Sequence, residues 1–373
     1  MKKALYVATV DSHIKAFHLP YLKLLKDMGY EVHVATNGSE KIPYCDVKHQ
    51  ICIERSPFKI SNIKAIKQLK KIINEEKFDI IHCHTPMGAV VARLAACKSR
   101  KKYGTRVIYT AHGFHFFKNA PLKNWLIYYP IEWFLAKYAD TIITINKEDY
   151  ELAQSKFYKR CNNIEYVPGV GIDSKKFEIK LSSKEVLKLK ESIGVDKNDY
   201  ILTCVARLDK NKNQLFLINV MEKLKQHDNI HLLLVGPDEL NGYYQNIVKG
   251  KKLNNTIHFL GKRDDIPQLL AISNIVVSAS LREGLPVNVM EAFSAGIPVI
   301  SLNCRGMSDL VENNKNGFII DIEKNNDIML ENYSSSILNV IKNNTKIDKK
   351  ILIDDKFKIE NVEKKMESIY FER

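Results

Sequence analysis

Ile275-Val276-Val277-Ser278-Ala279-Ser280-Leu281-Arg282-Glu283-Gly284-Leu285-Pro286-Val287-Asn288-Val289-Met290-Glu291 reads as an apolar strand, a turn and the start of a helix. The strand, Ile275 to Ala279, lacks the polar alternation of a half-solvated sheet and indicates burial on both faces. Pro286 suits the first helical position, so the helix is expected to begin near it. Two carboxylates straddle that start. Glu283 sits before the helix, placed to accept hydrogen bonds from sugar hydroxyls, and Glu291 lies more than a turn inside, placed to hold a ribose. The backbone N–H groups of Gly284, Leu285 and Val287 are expected to point at phosphate oxygens, as helix N-termini do. An exposed helix charge is the alternative for Glu291, but its neighbours Met290, Ala292 and Phe293 are apolar.

The same strand-then-helix unit recurs along the chain. In the first half, strands are expected at Ala4–Val10, Glu31–Ala35, Asp79–His84, Arg106–Ala111, Thr141–Ile145 and Ile164–Val167. In the second half they fall at Tyr200–Ala206, Ile230–Val235, Thr256–Phe259, Ile275–Ala279, Pro298–Ser301 and Phe318–Ile320. Short apolar strands alternating with helices predict an α/β protein with parallel sheets covered on both faces. Two such series predict two Rossmann-like domains facing a central cleft. The boundaries read as 1–178 and 179–355, with the join at Pro168-Gly169-Val170-Gly171 and the Lys-rich stretch after it. Residues 356–373 form an amphipathic helix, with Ile359, Val362, Met366 and Tyr370 on one face. It either closes the second domain or packs back on the first.

In open α/β sheets the loop after a strand's C-terminal end faces the ligand crevice. Arg207 and Lys212 occupy such a loop after the strand ending at Ala206, and their charges suit a diphosphate leaving group. A solvated basic loop is the alternative if they are taken alone. Together with the two glutamates they describe a pocket for a sugar joined to a diphosphate.

Three groups of residues now carry a family resemblance. They are Val205-Ala206-Arg207-Leu208 with Lys212, Phe259-Leu260-Gly261-Lys262-Arg263-Asp264-Asp265-Ile266-Pro267, and Glu283 to Glu291 continued by Ala292-Phe293-Ser294-Ala295-Gly296-Ile297-Pro298-Val299-Ile300. This set closely resembles the retaining GT-B glycosyltransferases of family 4, and the resemblance runs the length of the chain. Tyr109-Thr110-Ala111-His112-Gly113-Phe114-His115-Phe116 is similar to the subgroup that builds bacterial capsular and exopolysaccharide repeat units. The resemblance implies that Arg207 and Lys212 bind the donor diphosphate, Glu283 the transferred sugar and Glu291 the nucleotide ribose. It further implies that Gly261, Lys262 and Arg263 lie next to the base and that His112 stands at the reacting centre. Many relatives carry a glycine-rich loop after the first strand. Here the sequence is Thr9-Val10-Asp11-Ser12-His13, so Asp11, Ser12 and His13, with His115, are assigned to the acceptor instead.

Metal and cofactor readings find little support. No Asp-x-Asp occurs in the chain, and the two histidines of His82-Cys83-His84 share a strand face with no carboxylate or cysteine pair close in sequence. That segment is read as a strand terminus, and a metal-independent reaction without cofactor is expected. Seven scattered cysteines without a Cys-x-x-Cys pair indicate reduced thiols and a cytoplasmic setting. The short apolar run at the N-terminus lacks a signal-peptide cleavage pattern, and no apolar stretch reaches transmembrane length.

Of the net +14, residues 1–180 hold 30 Lys/Arg against 17 Asp/Glu, and the remainder hold 27 against 26. The basic half contains Lys59, Lys64, Lys67, Lys70, Lys71 and Lys77 around Ile60, Ile63, Ile66, Leu69 and Ile73, a pattern suited to an anionic bilayer surface. The aromatic stretch Phe114 to Tyr138 is a second candidate, bordering a lipid-linked acceptor. A solvated face over a domain core also accounts for both. No nucleic-acid-binding signature accompanies the charge. The expected activity is transfer of a sugar from a nucleoside diphosphate, a UDP-sugar and among these a UDP-N-acetylhexosamine type, to a lipid-linked glycan at the inner face of the cell membrane. A nucleotide-sugar epimerase on the same architecture and a non-catalytic surface-binding protein are the rivals.

Overall fold

The structure, a computed structural model, describes residues 1–118, 120–343 and 353–372. The chain divides into two compact units, Met1–Gly171 with Ile359–Arg373, and Ile172–Lys358.

The first unit runs β1 (Lys2–Val10), α1 (Asp11–Phe17), α2 (Leu19–Asp27), β2 (Tyr30–Asn37), β3 (Val47–Gln50), α3 (Ser61–Glu76), β4 (Ile80–His84), α4 (Pro86–Ala96), α5 (Ser99–Tyr103), β5 (Arg106–Ala111), α6 (Leu122–Ala136), β6 (Thr141–Thr144), α7 (Lys147–Phe157) and β7 (Asn163–Tyr166). Its seven strands are parallel in the order β3-β2-β1-β4-β5-β6-β7. Alternation along β1 shows why the strands read as apolar runs. Leu5 and Val7 enter one core, with Ile81 and Val107, while Ala4, Tyr6 and Ala8 enter the other, with Ile80 and Ile108. Both faces are covered, so neither carries solvent-facing polar residues.

The second unit runs α8 (Ser183–Ser192), β8 (Tyr200–Val205), α9 (Gln214–Lys223), β9 (Ile230–Val235), α10 (Tyr243–Gly250), β10 (Ile257–Gly261), α11 (Ile266–Ala271), β11 (Ile275–Ser278), α12 (Val287–Ser294), β12 (Val299–Leu302), β13 (Gly317–Ile320) and α13 (Asn326–Lys342). Its six parallel strands are ordered β10-β9-β8-β11-β12-β13. Leu202 and Cys204 of β8 face one core, and Ile201 faces the other. The last helix, α14 (Ile359–Phe371), belongs to the first unit, where Val362, Met366, Ile369 and Tyr370 join the core of β1 and α2.

The twelve strands expected from sequence are present within two residues at each end, and β3 is additional. In each sheet the chain starts mid-sheet, builds outward, then returns to build the other way. The switch points lie between β1 and β4 and between β8 and β11. Ligands of open α/β sheets bind beyond the strand C-termini at such points.

Candidate active site

In the second unit the switch point brings the loops after β8 and β11 together. Lys212 Nζ lies 2.6 Å from Glu283 Oε1, and both side chains are largely shielded from solvent. Two further links tie the loops: the Leu281 N–H donates to Asn211 O at 2.9 Å, and Asn211 Nδ2 donates to Arg282 O at 3.0 Å. Asn288 of α12 donates to Val205 O at 3.0 Å, fixing the helix start to the end of β8. Arg207 is farther out, 54% exposed, and pairs with Glu239 at 2.9 Å and Asp209 at 3.5 Å.

Pro286 caps α12, which opens at Val287, one residue later than expected. Gly284, Leu285 and Val287 surround that opening, with Leu285 buried. Glu291 is half-buried, and this burial raises its carboxyl above the ordinary range against the opposing pull of Lys176. Gly261 ends β10 with φ +62°, Lys262 is exposed, and Arg263 is clamped by Asp265 at 2.7 and 2.6 Å.

The loop after β12 contributes a residue that sequence reasoning missed. Arg305 is buried and its Nε donates to Glu283 O at 3.0 Å. Beside it Gly306 has φ +80°, and a Cβ there would stand 2.2 Å from Gly284 O, so this loop presses against the Glu283 turn. The rule that singled out Arg207, a cation in the loop after a strand, applies equally to Cys304-Arg305-Gly306.

In the first unit the switch point gathers histidines. His13 and His18 follow β1, His84 ends β4, and His112 follows β5. His18 Nε2 and His13 Nε2 are 3.2 Å apart, and His84 Nδ1 and His112 Nε2 are 3.3 Å apart. Burial lowers the pKa of all four; His13 falls to about 4, and neighbouring histidines depress His18, His84 and His112 further. The four rings are therefore neutral near pH 7. Thr85, directly after His84, has φ +62°, a costly conformation for a β-branched residue. Its hydroxyl holds the Thr9 N–H at 3.1 Å and the Thr9 hydroxyl at 2.8 Å, tying β4 to β1.

One expectation needs correction here, and two gain detail. No loop separates β1 from α1, and Asp11 is buried rather than turned toward an acceptor. Its carboxylate accepts from Lys48 Nζ at 2.6 Å, from the Glu40 N–H at 2.9 Å and from the Thr36 hydroxyl. Burial alone would raise its pKa, but these donors outweigh it and hold the group below the usual range. His82-Cys83-His84 ends β4 as expected, and His84 additionally meets three other histidines. His82 is the structural member, bonded to Tyr370 at 2.8 Å and Thr110 at 2.7 Å. The apolar stripe read on α3 is divided: Leu69 and Ile73 are core residues with Ile66 packed against them, while Ile63 and, just before the helix, Ile60 are exposed. Of the remaining acceptor candidates, Ser12 is exposed, and His115 packs its ring on Tyr128 at 4.6 Å.

Two Rossmann-like units of parallel sheet, the second with cations and carboxylates converging at its switch point, define a glycosyltransferase of the GT-B type. The chain belongs to the group 1, family 4-like glycosyltransferases: the family model described as "Glycosyl transferases group 1" matches residues 186–366, and "Glycosyl transferase 4-like" matches residues 3–146. It is 44% identical to EpsD of Bacillus subtilis over 86% of this chain and 84% of that one. It is 31% identical, over 76% and 74%, to an Escherichia coli UDP-Gal:α-D-GlcNAc-diphosphoundecaprenol α-1,3-galactosyltransferase. Among solved structures, Anabaena HepE in complex with UDP-glucose shares the fold with a TM-score of 0.76 over 99% of both chains, at 18% identity.

Proposed function

We propose that this glycosyltransferase moves a sugar from a UDP-sugar, with retention of configuration, to a hydroxyl of a lipid-linked glycan in capsular or exopolysaccharide synthesis. The observation that carries the reading is the Lys212–Glu283 pair at the switch point of the second unit, backed by Arg305 and the start of α12. As the C1–O bond to the diphosphate breaks, negative charge gathers on the departing phosphate. Lys212 and Arg207 neutralise that charge, so the transfer step proceeds without a divalent cation. The acceptor oxygen bonds to C1 from the face the diphosphate leaves, and its proton passes to the departing phosphate oxygen. Glu283 orients the sugar hydroxyls and Glu291 the ribose, while His112 acts at the reacting centre. The lipid-linked acceptor is supported by the Escherichia coli relative, whose name specifies a diphosphoundecaprenol substrate.

The test is a thermal-shift panel of nucleoside-diphosphate sugars in chelator-treated buffer. A ligand of the folded state raises the melting temperature with its concentration. UDP-sugars are expected to do so, and a flat response to every nucleotide sugar would end the reading.

We further propose a peripheral position at the inner face of the cell membrane, held through α6. No helix among the described residues is long and apolar enough to cross a membrane. On α6, however, Leu122 is 73% and Leu126 69% exposed, and Ile127, Ile131, Trp133 and Phe134 are exposed beside them. Lys118, Lys123 and Lys137 border this patch, and Arg160 stacks on Trp133 at 3.4 Å. An apolar patch rimmed by cations suits an anionic interface. Flotation with vesicles containing anionic phospholipid is expected for the wild type. Leu126→Asp with Phe134→Asp should weaken it more than about tenfold, because each buried apolar side chain contributes about 1.5–3 kcal/mol. Undiminished flotation of that variant would locate the contact elsewhere.

A further inference from the structure

We propose that His13, His18, His84 and His112 form a binding site for a divalent transition-metal ion of the zinc, cobalt or nickel class. Each offers one ring nitrogen, and the four nitrogens lie within 4.8 Å of one another. Imidazole nitrogen is the ligand such ions prefer. A tetrahedral ion with metal–nitrogen bonds of about 2.0–2.1 Å sets its ligand nitrogens about 3.3–3.4 Å apart. Two edges of that tetrahedron already stand at 3.2 Å (His13–His18) and 3.3 Å (His84–His112). Around such an ion the ring centres would lie about 5.2 Å apart. Four of the six pairs fall between 4.7 and 5.5 Å. The exceptions are His18–His84 at 3.9 Å, which would open, and His13–His84 at 6.3 Å, which would close.

The make-up of this cluster separates it from the other paired histidines. The other histidine pairs are built differently. His33 bonds His49 at 2.9 Å and Glu31 at 2.7 Å; His231 bonds His258 at 3.0 Å and Asp199 at 2.9 Å. In each of those pairs a carboxylate completes the chain, whereas the four-histidine cluster contains none. His18 and His84 are buried and anchored, while His13 and His112 keep part of their surface open, giving an ion a way in. The strained Thr85 backbone holds His84 at the end of β4. The ion takes no part in the transfer step above. Because it would engage His112, its binding is expected to hinder transfer, a consequence that rests on the role assigned to that residue.

The experiment uses the full chain without a histidine tag, stripped with chelator and titrated with Co²⁺ and Zn²⁺. One equivalent is expected to bind, Co²⁺ with the strong visible bands of tetrahedral nitrogen ligation and Zn²⁺ with a rise in melting temperature. His13→Ala, at the open side where folding is least at risk, should weaken binding about 100-fold or more. His84→Asn should remove the cobalt spectrum, and His49→Ala should change neither readout. Absence of stoichiometric binding, an octahedral spectrum, or binding that survives His13→Ala unchanged would each overturn the proposal. The nucleotide-sugar panel remains an independent test, so failure here leaves the transferase reading standing.

Discussion

Replacing Lys212 by alanine is expected to lower sugar transfer about 10²–10³-fold while the protein remains folded. The ammonium lies 2.6 Å from Glu283, with 19% of the lysine and 13% of the glutamate side chain exposed. In such shielded surroundings a positioned charge acting on a leaving group contributes about 2.7–4 kcal/mol to the barrier, far more than an exposed ion pair. On the proposed reading the substitution removes the cation that meets the diphosphate, and it also frees Glu283 from its ion-pair partner. Lys212→Arg keeps the charge but not the compact ammonium, so it should restore activity only in part. Arg207→Ala should cost less, about tenfold, because Arg207 is half exposed and already shared between Glu239 and Asp209. The measurements are kcat/KM for the UDP-sugar and calorimetric UDP affinity. Residues in direct contact couple, so Lys212→Ala with Glu283→Gln should cost less than the sum of the single changes. Transfer within threefold of wild type in Lys212→Ala would remove the pair from the reaction.

Most of this architecture is legible in the sequence because parallel strands covered on both faces must be apolar throughout. β3 escaped because Val47-Lys48-His49-Gln50 is an edge strand pairing only with β2, and its Lys48 serves Asp11. The residues assigned to the donor were picked by one rule, that chemistry sits in loops after strands, and the structure brings two of them, Lys212 and Glu283, together; the same rule extends to Arg305. The histidine cluster was hidden by distance along the chain. His13, His18, His84 and His112 meet only because the switch point brings the ends of β1, β4 and β5 together. The two segments singled out for membrane contact divide their apolar residues differently. The regular stripe of α3 sends Leu69 and Ile73 into its own domain's core and leaves Ile60 and Ile63 at the exposed end. The unpatterned apolarity of α6 leaves a second face uncovered after the first is packed.

The largest stability effect is expected at Arg93, which is completely buried in the first unit. It sits on α4, reaches across to Glu132 of α6 with Nη2 to Oε2 at 2.8 Å, and donates to Ala89 O at 3.1 Å. Tyr109 of β5 completes the group: its hydroxyl donates to Glu132 at 3.1 Å, and its ring lies 4.1 Å from the guanidinium carbon. Arg93→Ala strands the Glu132 carboxylate in the core and opens a cavity, so unfolding free energy should fall by about 3–5 kcal/mol. For a unit of this size that lowers the melting transition by on the order of 10 °C. Replacing both charges, Arg93→Met with Glu132→Leu, should recover most of the loss, because a well-packed apolar pair avoids the desolvation of two ions. Denaturant unfolding of the two variants separates these outcomes, and a single Arg93→Ala cost below about 1 kcal/mol would mean solvent already reaches the pair. The pair also bears on function. Glu132 is a buried charge on α6, and through Arg93 it locks that helix with its inner face on the core and its apolar outer face toward solvent. Vesicle flotation should therefore weaken in Arg93→Ala even at temperatures where the protein stays folded, and recover in the apolar double variant.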